Sequence, residues 1–253
     1  MKRIFVMLML FLFLAGCAPA EPEETKKPTA PPVTEQTVLP TEPAPTSSPT
    51  CPPTEAPTEP PEPDDMDLVR AADYIPGIRQ SLAYATNDNF VERPIYDFAD
   101  AYLRYGTVKK LKAACEELAQ QGLGILIWDG FRPLKAQEKL WEICPDPTYV
   151  SHPVTGSRSH CRGSAIDLTL VDMTTGELLI MPTGFDNFTA LADRDYSDCS
   201  AEAAENAQML EKVMVKHGFK PYSAEWWHFS DTDEYPVDET FWPEQTVFEG
   251  GVG

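Results

Sequence analysis

Three scarcities narrow the reading before any motif is considered. None of the six cysteines forms a Cys-x-x-Cys pair, which argues against a zinc site built on thiolates. Basic side chains are few: 20 Lys and Arg face 40 Asp and Glu, a formal net charge of −20. Phosphate binding needs a basic face, so nucleic acid is excluded as a partner. Histidine is scarcer still, at four residues: His152, His160, His217 and His228. Any imidazole chemistry must be built from that short set.

Long apolar runs are also missing. The one extended run, Ile4 to Leu14, falls short of the roughly 20 residues of a spanning helix. Lys2 and Arg3 precede it and Ala15-Gly16-Cys17 follow, which reads as a signal-peptide core. Leu14-Ala15-Gly16-Cys17 resembles the lipobox of bacterial lipoproteins. That resemblance implies lipidation at Cys17, with residues 1–17 as leader. The expectation is an exported protein tethered to a bacterial membrane by its lipid, with the folded part outside the cytoplasm.

Residues 18–66 are Pro, Thr, Glu and Ala with almost no large apolar side chain, and hold 15 of the 25 prolines. Such a segment cannot bury enough surface to offset its chain entropy. It is expected to be a disordered, partly extended stalk, lifting the rest of the chain off the membrane.

Residues 67–253 carry the folding signals. Val108, Leu111, Cys115 and Leu118 have helical spacing over Thr107–Gln121, and Gly122 is a stop. Gly124–Trp128 reads as a buried strand, and Pro133–Ile143 as a helix with proline at its start. Ala165–Leu170 reads as a strand. Ala201–His217 reads as a helix with Ser200 at its N-cap and Gly218 past its end. Glu225–Ser230 reads as a last strand. Helices and strands mix without strict alternation, so the expected class is α+β, with a central antiparallel sheet and flanking helices.

Two histidines have unusual surroundings. His160 opens H-C-R-G-S-A-I-D, ending at Asp167, and His228 closes E-W-W-H, beginning at Glu225. A hydrolytic zinc site needs three protein ligands, an open position for water and a nearby proton acceptor. His160, Asp167 and His228 fit the ligand roles, and Glu225 the acceptor. A straight strand would point each pair to opposite faces. A turn at Gly163 and a bulge after Glu225 are therefore required. Scattered His, Asp and Glu do not by themselves decide the matter, because each His has an alternative as a hydrogen-bonded structural residue. His217 suits the apolar face of its helix, and His152 lies in a loop expected to be exposed. Cys161, adjacent to His160, reads as packing, and Trp226 and Trp227 as core or pocket wall.

The segment H-C-R-G-S-A-I-D-L-T-L together with E-W-W-H resembles the D-alanyl-D-alanine dipeptidases, a family that includes the vancomycin-resistance enzymes. The likeness extends to W-D-G-F-R-P (Trp128–Pro133) and Y-A-T-N-D-N-F (Tyr84–Phe90), in the same order. It implies a zinc D,D-dipeptidase with one Zn²⁺ held by His160, Asp167 and His228, and Glu225 as general base and then acid. Arg132 would stabilise the oxyanion, with Asp129 holding it in place. Asp186 would meet the ammonium of a small peptide substrate, and Tyr84 would line the pocket. The family carries Ser two residues before the first zinc histidine. Here that position is Arg158, between Ser157 and Ser159. Either Ser159 or Ser157 shifts into the anchoring role, or Arg158 meets the substrate carboxylate. Three further readings stand beside the dipeptidase: a D,D- or L,D-carboxypeptidase on longer stem peptides, a non-haem iron oxygenase, and an inactive wall-binding module.

Overall fold

The computed structural model describes residues 61–244, so the leader, Cys17 and the stalk up to residue 60 lie outside the described residues. In chain order the elements are β1 (Leu68–Arg70), α1 (Ala71–Tyr74), β2 (Arg79–Gln80), β3 (Tyr102–Arg104) and α2 (Tyr105–Ala119). They continue with β4 (Leu123–Asp129), α3 (Leu134–Ile143), β5 (Ala165–Asp172), α4 (Ala201–Lys216), β6 (Phe219–Tyr222) and β7 (Glu225–Asp231). One five-stranded sheet has the order β2-β4-β5-β7-β6, and β1 pairs with β3 apart from it. The β4–β5, β5–β7 and β6–β7 pairings are antiparallel. Only the two-residue edge strand β2 runs parallel to its neighbour. The fold is thus α+β with a nearly antiparallel sheet.

The helices start and stop where side chains dictate. Ser200 accepts a hydrogen bond from the Ala203 N–H, giving α4 its cap. Gly122 and Gly218 take left-handed φ angles of +74° and +86° just beyond α2 and α4. α2 and α4 pack against each other and on the sheet. Val108, Leu111 and Leu118 of α2, with Leu210 and Met214 of α4, are buried in one cluster with Ile127, Ile166, Leu168 and Leu170 of the strands. Each such aliphatic side chain contributes about 1.5–3 kcal/mol on burial.

The stalk composition runs on to Met66, yet the folded body already includes Asp64–Met66. Asp65 accepts from the Gly106 N–H through its carbonyl and pairs with Lys109 through its carboxylate. The Met66 carbonyl accepts from Arg104. Specific donors on β3 and α2 hold these residues, which composition cannot register.

Candidate active site

Strand parity decides which face of the sheet carries chemistry. In β5, Ile166, Leu168 and Leu170 alternate with Asp167, Thr169 and Val171. Ile166, Leu168 and Leu170 belong to the apolar cluster with α2 and α4, so Asp167 points to the other face. Asp129 is level with Asp167 on β4, and His228 is level with it on β7. Residues directly opposite share a face, so Asp129, Asp167 and His228 form a row across three strands. Asp129 reaches that face only because the β4 register shifts between Ile127 and Asp129. Without the shift it would follow Ile125 and Ile127 into the apolar layer.

His160 arrives from outside the sheet. Residues His160–Arg162 form a single 3-10 turn ended by Gly163 at φ +70°, a conformation glycine takes at little cost. A Cβ at Gly163 would run into the Leu68 side chain. The turn brings His160 Nε2 to 3.4 Å from Asp167 Oδ2 and 3.2 Å from His228 Nδ1. His228 Nδ1 lies 2.9 Å from Asp167 Oδ1. One ligand atom from each of the three residues lies within 4.8 Å of the others. Tetrahedral donors at about 2.0–2.1 Å from zinc stand about 3.3 Å apart, so this spacing fits such an ion.

The outer partners of both imidazoles suit the same use. His160 Nδ1 lies 2.8 Å from the Gly130 carbonyl, which can only accept. The proton therefore sits on Nδ1, and the Nε2 lone pair faces the cluster. His228 Nε2 lies 3.1 Å from the Ser230 hydroxyl, leaving Nδ1 for the cluster. Burial alone would raise Asp167, but His160 and His228 outweigh it and hold the carboxylate well below the usual range. Burial alone would lower His160; the carboxylates of Asp167 and Asp129 outweigh it and raise the imidazole.

Glu225 stands beside the triad, with Oε2 4.0 Å from His228 Nδ1. Residues three apart on a strand share a face here because β7 is irregular. Pro221 of β6 pairs with Phe229, but the next residue, Tyr222, pairs with Glu225. Residues 226–228 are left over on the β6 side, which is the bulge that the E-W-W-H spacing requires. Burial pushes the Glu225 carboxyl up to about 7, with His228 opposing and Asp167 adding to the rise.

Arg132 is buried on the Asp129 side. Its Nε and Nη2 donate to Asp129 Oδ2 at 3.1 and 2.5 Å, and Nη1 donates to Gln137 Oε1 at 2.8 Å. The Tyr96 hydroxyl donates to the other oxygen of Asp129 at 2.8 Å. The Arg132 guanidinium lies 4.5 Å from the Tyr84 ring centroid. The Tyr84 hydroxyl lies 3.3 Å from Asp186 Oδ1, and the Phe90 N–H lies 3.4 Å from Asp186 Oδ2. Asp186 takes φ +56°, and burial pushes its carboxyl up to about 7, with Asp167 adding and Arg132 opposing. A carboxylate so placed gains from an incoming cation. A cleft of about 920 Å³ opens at Asp186 and is lined also by Asn89, Phe90, Trp128 and Phe185.

The sequence profile described as D-ala-D-ala dipeptidase, a peptidase family, matches residues 64–246. The chain belongs to that family. A D-alanyl-D-alanine dipeptidase of Escherichia coli strain K12 is 37% identical to it over 176 residues, covering 69% of this chain and 90% of the relative. One of Enterococcus faecium is 35% identical, covering 63% and 89%. One of Streptomyces coelicolor is 33% identical, covering 69% and 96%. Membership of the D-Ala-D-Ala dipeptidase family makes the chain an enzyme of the metallopeptidase class and removes the oxygenase reading.

Sequence reasoning singled out the residues that the fold brings together here: His160, Asp167, His228 and Glu225 on one side, Arg132, Tyr84 and Asp186 on the other. It missed their supports: Gln137, Tyr96, Ser230 and the Gly130 carbonyl. Ser230 had a signal, lying two residues past His228 on the same face; the others had none. Ser159 is half-buried and heads the His160 turn without capping it through its hydroxyl. Arg158 is half-buried at φ +51°, and its Nε is buried without a hydrogen-bond partner. Cys161 is fully buried, and burial pushes its thiol up to about 11. His217 pairs with Glu117 at 2.6 Å. His152 is half-buried rather than exposed as expected: its Nδ1 accepts from the Val154 and Thr155 N–H groups, and its ring meets Trp141 edge-on.

Proposed function

We propose that the chain is a zinc-dependent dipeptidase that hydrolyses D-alanyl-D-alanine. The observation that carries this is the meeting of His160, Asp167 and His228 within 4.8 Å, with Glu225 4.0 Å from His228, in a chain of this family. When bound, zinc supplies a Lewis acid that polarises the peptide carbonyl and lowers the pKa of water to about 7. His160 and His228 hold the ion as neutral imidazoles, and Asp167 supplies the one anionic ligand. Glu225 takes the proton from the attacking water and returns it to the leaving amine. Arg132, fixed by Asp129 and Gln137, offers a guanidinium to the oxygen that becomes negative as the carbonyl is attacked.

The substrate's two charged ends are assigned to opposite sides. Asp186, with Tyr84 beside it, takes the ammonium, which is why a dipeptide suits the site. Ser159 and Arg158, just before His160, take the carboxylate. The deciding experiment offers D-Ala-D-Ala, its N-acetylated form, longer peptides ending in D-Ala-D-Ala, and L,L-dipeptides, each with and without chelator. Chelator-sensitive hydrolysis confined to free D-Ala-D-Ala supports the reading. Turnover of the longer peptides would make the enzyme a carboxypeptidase, and chelator-insensitive turnover would end the zinc mechanism.

Arg132→Ala is expected to lower kcat by about 10²- to 10³-fold while KM changes far less. Steady-state kinetics check this, and a rise in KM alone would make Arg132 a binding residue instead.

We also propose that Cys17 is the lipidated N-terminus and that the enzyme works outside the cytoplasm. The support is Lys2, Arg3, the Ile4–Leu14 run and the small residues before Cys17. Among the described residues no helix is long and apolar enough to cross a membrane. Cys17→Ser is expected to abolish incorporation of labelled fatty acid into the protein. Undiminished labelling of the variant would count against lipidation at Cys17.

A further inference from the structure

The bulge in β7 puts Glu225 and His228 on one face, and it leaves main-chain groups without a strand partner on the β6 side. An unpaired buried carbonyl is costly, so a bulge of this size needs a substitute for the missing ladder. One side chain supplies it. Arg194 Nη2 donates to the Trp226 carbonyl at 2.9 Å and to the His228 carbonyl at 3.0 Å. Its Nε donates to the Tyr222 carbonyl of β6 at 2.7 Å. Nη1 donates to Glu211 Oε2 at 2.9 Å and to the Tyr196 hydroxyl at 3.3 Å. All five N–H groups of the guanidinium are thereby used. Its plane lies 4.5 Å from the Phe229 ring centroid, and its backbone N–H donates to the Ser223 carbonyl in the β6–β7 turn. The side chain is only 8% exposed.

We propose that Arg194 is the positioning residue of the metal site, a strut that fixes the β7 bulge and so aims both His228 and Glu225. It touches neither metal nor substrate. It acts through the two carbonyls flanking Trp227, one of them belonging to the ligand His228 itself. The planar fork matters: three carbonyls on two strands are held at once, which a single ammonium cannot do. Glu211, on α4, ties the far side of the fork to the helix layer. This inference rests on the zinc dipeptidase reading for its kinetic consequence, though not for its structural one.

The test compares the parent chain with Arg194→Ala, Arg194→Lys and Glu211→Gln. Four quantities are read: zinc affinity by competition with a chromophoric chelator, D-Ala-D-Ala kinetics, apoprotein Tm, and amide exchange across residues 225–229. Loss of an outer-shell partner typically costs about 10- to 100-fold in metal affinity or activity. Arg194→Ala is expected to show that loss in both zinc affinity and kcat, with KM little changed and exchange across 225–229 accelerated. Arg194→Lys, which keeps the charge, is expected to fold and to recover part of the loss. Glu211→Gln is expected to lower Tm while zinc affinity and kcat stay at the parent's values. Parent-like zinc affinity and kcat in both Arg194 variants, with only Tm reduced, would overturn the proposal. Should Arg194→Ala fail to fold, parent-like values in Arg194→Lys suffice to reject it. A parent chain without zinc-dependent turnover would instead indict the dipeptidase reading, and the exchange measurement on apoprotein would still judge the strut.

Discussion

Glu225→Ala will bind one zinc ion as the parent chain does and will hydrolyse D-Ala-D-Ala roughly 10²- to 10⁴-fold more slowly. The two halves of this result follow from different features. On the proposed reading, zinc is retained because its donor atoms would come from His160, Asp167 and His228, with Glu225 set to one side of them. Turnover would be lost because, in the proposed mechanism, Glu225 is the carboxylate beside the triad left to accept the proton. Asp167 is held by both imidazoles, and Asp129 is held by Arg132 and Tyr96. Metal content by atomic absorption, read beside kcat, checks both halves. Undiminished turnover would remove Glu225 from the mechanism, and lost zinc would make it a ligand.

His228→Ala will lose metal and activity together. Two donors remain, and they cannot hold a hydrolytic zinc site that needs three. The substitution also takes from Asp167 the nearer of its two imidazoles, at 2.9 Å, leaving a buried carboxylate with one partner fewer. Zinc at a hundred times its dissociation constant stabilises the parent chain by about 2.7 kcal/mol through linkage. Thermal melts with and without zinc will separate for the parent and coincide for the variant. A variant that keeps one zinc per chain would sink the proposed ligand set.

Much of this architecture was legible in the sequence, for identifiable reasons. The helices α2, α3 and α4 and the strands β4, β5 and β7 fall within a residue or two of their expected bounds. Local chemistry punctuates them: Gly122, Pro133, Gly163, Ser200 and Gly218 each mark an end. The short strands β1, β2, β3 and β6 gave no such signal. Two to four residues carry no usable period, and β6 contains Pro221. The residues that meet at the candidate site were legible because histidine is rare here and because the motifs around them resemble those of the D-alanyl-D-alanine dipeptidases. Of their supports, only Asp129 was foreseen. Gln137 joins Arg132 to the Ser151 carbonyl, and Arg194 joins α4 to β7. Each role exists only once distant segments meet, and no local spacing announces it.

The row of Asp129, Asp167 and His228 has a consequence for how this site can change over time. Its members are chosen by odd-and-even counting along three strands, with one added count near Trp128. Losing or gaining a single residue within β4 would exchange the two sides of the strand and send Asp129 among the aliphatic side chains, releasing Arg132. Replacement of side chains around the site leaves that counting intact. Variation in this part of the enzyme is therefore open to substitution and closed to changes of length, which belong to the connecting loops.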